Sequence, residues 1–299
     1  LVCFSDQGQY LYRFSDSNSC SENIVSVIYD FDISSDDSLL IVISDDNILQ
    51  FKNIVDEFIF EKFIEIGQIT PSKIGFVPGT DNILVSSVRV IGTESSLSFL
   101  INSKEEIIDY LPNYYPKLNV IRSGFQDEII HYKINNNISL KERYNDTVYY
   151  INQQTVKFAP GFILNSRFRS PEYPVYNLRS PLVINVMEIN RYIYFVYMYY
   201  GIRHKVFYDK LSGKKLEIDL KTDGLIDDIR GGPCFYPEYC SEGNLYSWIS
   251  ARKLKRHLEN DTLSYKKLQN PARKAELMRL TSSLKETDNP ILVKLTPKY

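Results

Sequence analysis

Two carboxylates and a guanidinium stand before a pair of glycines in Asp227-Asp228-Ile229-Arg230-Gly231-Gly232. Paired acids of this kind could bind a cation or a polar ligand, or act as acid and base on a substrate, while the glycines allow a tight backbone path. A second pair, Asp30 and Asp32, alternates along an apolar run, so both side chains share one face of a strand. The plainer account of all five residues is structural: acids that pair with arginine or accept backbone amides and hold neighbouring sheets together. Geometry separates the two accounts. Glycoside chemistry needs two carboxyl groups roughly 5 to 9.5 Å apart in an open cleft.

The other reactive residues form no constellation. His131, His204 and His257 lie far apart, each without a His or Cys at ligand spacing. No serine sits in a nucleophile elbow and no glycine-rich phosphate loop is present. Asp36-Asp37 and Asp45-Asp46-Asn47 lack the spacing and glycine of a calcium loop, so they read as turns. The four cysteines (Cys3, Cys20, Cys234, Cys240) are too few for a disulfide scaffold. Cys234 and Cys240 could close a small disulfide loop in an oxidising compartment, or stay as two partly buried thiols. No metal or other cofactor is expected. Tyrosine is abundant, at 23 residues, and aromatic faces stack on sugars. Tyr114 and Tyr115, between two prolines, with Tyr173, Tyr176, Tyr236 and Tyr239, fall in loop-like segments where they would form a platform or pack between sheets.

The elements that position these residues announce themselves as a repeat. An aromatic or aliphatic residue precedes a polar turn at Phe4, Phe51, Leu100, Tyr150 and Tyr208, at intervals of 47, 49, 50 and 58 residues. Periods of this length, rich in short strands, indicate propeller blades of four strands each. The spacing predicts blades over about 1–14 (partial), 24–66, 73–111, 128–158, 187–220 and 225–299. Amphipathic patterns over 251–260 and 271–284 predict a helical insert at 251–287 in the last blade, with Leu254 and Leu258 on one face and Leu277, Leu280 and Leu284 on another. The Asp227 cluster would then lie on the last blade's innermost strand, and Asp30 with Asp32 on that of the second, all facing a central channel.

Bulk properties exclude two classes of partner. The net charge is −2 with both signs interspersed, unlike the clustered basic face that binds nucleic acid. No apolar run approaches the ~18 residues that would span a bilayer. The opening Leu1-Val2-Cys3-Phe4 reads as a strand already under way, so the chain is expected to begin inside a blade.

Several segments carry a resemblance. Tyr144-Asn145-Asp146-Thr147-Val148-Tyr149, Arg191-Tyr192-Ile193-Tyr194-Phe195 and Phe207-Tyr208-Asp209-Lys210 with Ser212-Gly213-Lys214 are three of them. Ile226-Asp227-Asp228-Ile229-Arg230-Gly231-Gly232-Pro233, Leu245-Tyr246-Ser247-Trp248 and Asp288-Asn289-Pro290-Ile291-Leu292-Val293 complete the set. Together they resemble the six-bladed β-propeller proteins of Bacteroidetes, many of them predicted envelope lipoproteins. A Gly-Pro-Gly-Glu-Tyr-like segment common after that family's first blade is absent, and Ser15 to Ser26 stands in its place. The resemblance implies a periplasmic or outer-membrane-attached protein with a lipid anchor in an upstream region. It carries no catalytic site.

The expectation is therefore an all-β, six-bladed propeller forming one domain over 1–299. It would be a non-enzymatic binding or scaffold module for a protein, peptide or glycan partner. The alternatives are a glycan- or polymer-active enzyme using the channel carboxylates, or an accessory protein recognising peptides or sugars.

Overall fold

Each full copy of the fifty-residue repeat folds as one antiparallel sheet, and the reason is visible in its turns. The structure, a computed structural model, describes residues 2–4, 10–13, 27–45, 47–54, 57–67, 70–87, 95–113, 129–143, 145–164, 181–218, 224–241, 243–259, 268 and 270–297. The chain divides into two compact units, Leu1–His131 with Asn136–Leu182, and Tyr132–Asn135 with Val183–Tyr299.

In the first unit, β1 (Val2–Phe4) and β2 (Tyr10–Arg13) form a two-stranded ladder. Next comes a four-stranded sheet of β3 (Ile28–Ile33), β4 (Leu39–Ser44), β5 (Asn47–Ile54) and β6 (Glu57–Ile64), hydrogen-bonded in that order. The second sheet contains β7 (Pro71–Phe76), β8 (Ile83–Ser87), β9 (Ser96–Ile101) and β10 (Ile107–Pro112). The third contains β11 (Ile129–Ile134), β12 (Asn137–Glu142), β13 (Thr147–Asn152) and β14 (Ala159–Ile163). Central strands are buried on both faces, as in Leu40-Ile41-Val42-Ile43 of β4, which explains their unbroken apolar runs. Cores form between successive sheets: Ile41 and Ile43 pack with Ile74, Phe76 and Val85, and Leu84 and Leu100 with Ile138 and Leu140.

In three copies the polar turn carries a side-chain cap on the hairpin between a sheet's third and fourth strands. The Asn102 side-chain oxygen accepts from the amides of Lys104 and Glu106 at 2.9 and 3.0 Å. Asn152 accepts from the amides of Gln154 and Thr155 at 3.0 and 2.9 Å. This is local backbone capping by an amide or carboxylate side chain, which accounts for the Asn or Asp at that position in these copies.

In the second unit, β15 (Leu182–Ile189), β16 (Tyr192–Tyr199), β17 (Ile202–Asp209) and β18 (Lys215–Glu217) form the fourth sheet. Its cap is Asp209, which accepts from the Leu211 amide at 3.0 Å and is clamped by the Arg191 guanidinium. The last sheet orders β19 (Tyr239–Ser241), β20 (Asn244–Ile249) and β21 (Ile291–Leu295). Between its last two strands lie α1 (Ala251–Glu259) and α2 (Pro271–Ser283). Leu254 is buried, as expected, but Leu280 is exposed and Thr281 takes the inward position. Asn270 caps α2 by accepting the Arg273 amide, with Pro271 in the first turn.

The architecture is an all-β propeller with five blades among the described residues, not six, plus two small helices. The expected first blade is represented only by the β1–β2 ladder. The expected innermost strand at Asp227 is not a strand either. Residues 228–230 are a turn, flanked by a single bridge between Leu225 and Phe235.

Candidate functional site

Asp30 and Asp32 share a face of β3, and β7 runs beside it. The Asp30 carboxylate accepts the Ile74 amide at 2.9 Å, and that of Asp32 accepts the Phe76 amide at 2.7 Å. Two aspartates two residues apart therefore meet alternate amides of the next blade's first strand. The side chains continue the ladder where two backbones stand too far apart to bond directly. Lys73 lies 3.5 Å from Asp30. Burial pushes the Asp30 carboxyl up from its ordinary range, against the opposing pull of Lys73 and the Ile74 amide.

A second tie between blades was not visible in the sequence. Nε2 of His131 lies 2.9 Å from Oγ of Ser86, which lies 2.9 Å from Oγ of Ser98. A serine beside a histidine suggests nucleophilic catalysis, but Ser86 and Ser98 are wholly buried between sheets. Substrate cannot reach that oxygen. Burial and the nearby Lys73 push the imidazole down to about 3, so it is neutral in the fold. Sequence reasoning missed the cluster because 45 residues separate Ser86 from His131, with no local motif around either.

In the second unit the Asp227 carboxylate accepts three amides of its own turn: Ile229 at 3.2 Å, Arg230 at 2.9 Å and Gly232 at 3.2 Å. Gly231 has φ 72°, which a side chain would disfavour. A Cβ on Gly232 would stand 2.8 Å from Asp227 Oδ2. The glycines thus serve the aspartate's own loop. Asp228 and Arg230 are exposed. Asp30 and Asp32 belong to one unit and Asp227, Asp228 and Arg230 to the other.

Cys234 and Cys240, between which a small disulfide was envisaged, stand as free thiols in the structure. Cys240 lies on β19 and is buried, and burial pushes its thiol up to about 12. It is protonated and unreactive at ordinary pH. Glu188 is buried nearby and bound by the Lys210 ammonium at 2.6 Å. Of the tyrosines named above, Tyr236 lies under the Lys205 ammonium at 4.2 Å. Tyr239 is exposed. Tyr114, Tyr115, Tyr173 and Tyr176 lie outside the described residues, as do Cys20 and the Cys3 side chain. No group of three or more metal-ligating side chains occurs among the described residues.

The family described as "Domain of unknown function (DUF4934)" matches residues 1–296. The chain belongs to the DUF4934 family. Among solved structures, this member is similar to a Bacteroides fragilis protein described as exported. The TM-score is 0.67 and the identity 16%, over 99% of this chain and 84% of that one. That likeness shows the fold. A 6-phosphogluconolactonase-like protein from Bacteroides uniformis gives a TM-score of 0.43 at 11% identity, over 72% of this chain and 62% of that one. Kuenenia stuttgartiensis hydrazine synthase gives 0.41 at 12%, over 85% and 72%. Neither of the last two bears on function. No curated protein matches the sequence.

Proposed function

We propose that this DUF4934 member is a non-enzymatic binding or scaffold propeller of the bacterial cell envelope, periplasmic or attached at the outer membrane. The observation that carries the reading is the engagement of Asp30, Asp32 and Asp227 with backbone amides. Carboxylates so held build a rigid platform and are poorly placed to move protons to a substrate. Export is supported by the description of the similar Bacteroides fragilis protein. No described helix is long and apolar enough to cross a membrane.

The test pairs quantitative cross-linking in an envelope fraction with an assay for reducing ends released from envelope polysaccharides. A stoichiometric partner, captured equally by the Asp227→Asn variant, with no release of reducing ends, is the expected result. Release by the wild type that is lost in Asp30→Asn or Asp227→Asn would overturn the reading in favour of an enzyme.

A further inference from the structure

The β16–β17 hairpin ends in side chains that its own folding does not require. Its strands pair from Tyr192 opposite Asp209 to Tyr199 opposite Ile202, and the chain turns at Tyr200-Gly201. Both turn residues have positive φ, 50° and 77°, as the two central positions of a type I′ turn demand. Asn-Gly suits such a turn. A bulky tyrosine in the left-handed region is strained, and strain of this sort tends to collect at functional positions.

The pairing register then gathers rings on one face of the sheet. Tyr197 stands opposite His204, and Tyr199 opposite Ile202. The Tyr197 ring and the His204 imidazole stack at 4.8 Å with only 8° between their planes. Tyr199 lies 6.4 Å from the imidazole, and Tyr200 meets Tyr199 edge-on at 4.5 Å. Glu217, on the neighbouring strand, brings Oε1 to 2.6 Å from Nδ1 of His204. The surface is open: Tyr199 is 37% exposed, Tyr200 56%, and the Glu217 side chain 53%.

We propose that this hairpin tip binds a neutral saccharide chain. A pyranose presents an apolar C–H face that lies flat on aromatic rings, while its hydroxyls need donors and acceptors at the ring edges. The tyrosine rings supply the first, and the Glu217 carboxylate with the His204 imidazole supplies the second. The same carboxylate repels sulfated or phosphorylated chains. The proposal rests on the binding reading above and gives it a ligand class and a surface, using none of the carboxylates discussed there.

Calorimetric titration of the full chain with cellohexaose, maltoheptaose and mannohexaose tests the site. At least one is expected to bind with a Kd in the millimolar range or tighter, and Tyr199→Ala to weaken it about tenfold. Tyr200→Asn should weaken binding while raising Tm, since asparagine accepts the left-handed conformation. A merely structural tyrosine would lower Tm instead. No binding at millimolar saccharide, unchanged affinity in both variants, or a lowered Tm in Tyr200→Asn overturns the proposal. So does a tip that captures an apolar peptide in place of the sugars. Envelope-partner capture that survives both substitutions, in the absence of sugar binding, would remove this site and leave the scaffold reading standing.

Discussion

Asp32 shows what a single side chain contributes when it replaces a piece of backbone. The amide it satisfies belongs to Phe76, a residue buried in the core shared by two sheets. Asp32→Ala would leave that amide without its acceptor, and an orphaned buried donor costs about 1–3 kcal/mol. Urea denaturation should show a fall in stability of that size, with Asp32→Asn costing less because its side-chain carbonyl can still accept. His131 sets a pH dependence. Its folded pKa, about 3, lies below the ordinary 6.5, so the unfolded chain binds the proton first. Stability should rise with pH between about 3 and 6.5, and His131→Asn should flatten that slope in Tm measured across the window. Asp30 acts with the opposite sign just above its ordinary value, because its raised pKa makes its contribution fade as pH rises. The acids were legible in the sequence as a pair sharing one face. Their partners were not, since Ile74 and Phe76 contribute only backbone, and a backbone amide leaves no trace in residue identity.

The capped hairpin is the element that made this chain readable. Asn102, Asn152 and Asp209 each hold the turn after a third strand, and each was flagged by its position in the repeat. Asn102→Ala and Asn152→Ala should each lower stability by about 1 kcal/mol, as loss of one capping acceptor does. Asp209→Ala should cost more in the same chemical denaturation, because it also strands the Arg191 guanidinium. At 227–230 the blade spacing predicted an innermost strand, and a turn stands there instead. There the Asp227 carboxylate competes for the amides a strand would use and closes a turn instead. The strained Tyr200 was equally hidden, because the continuous run of β-formers through Tyr200 gives no sign of where the hairpin bends.

For the whole molecule, repetition indicated the fold class correctly and gave six blades where the described residues form five. The 47- to 50-residue intervals recur because each sheet buries its faces only against the next one, and the shared cores of the first unit show this directly. Taking the Phe4 anchor for a blade overstated their number, because an anchor marks one hairpin and a blade needs more than one. Phe4 marks the β1–β2 ladder alone. The last sheet depends on its final strand, with β21 supplying five residue pairs to β20. Deleting 288–299 would leave a two-stranded remnant of the kind that is marginal on its own. Thermal unfolding should show a clear drop in Tm with increased dye-detected apolar exposure, and an unchanged Tm would mean that β21 adds little.

The helical insert also sets the size of a loop that folding must close. Ile249 pairs directly with Ile291, so all of 250–290 lies between two residues that end side by side. The entropy of closing such a loop grows only slowly with its length, and doubling it would cost about 0.6 kcal/mol. The blade can therefore carry a longer or shorter insert at this point with little change in stability, provided β21 keeps its register on β20.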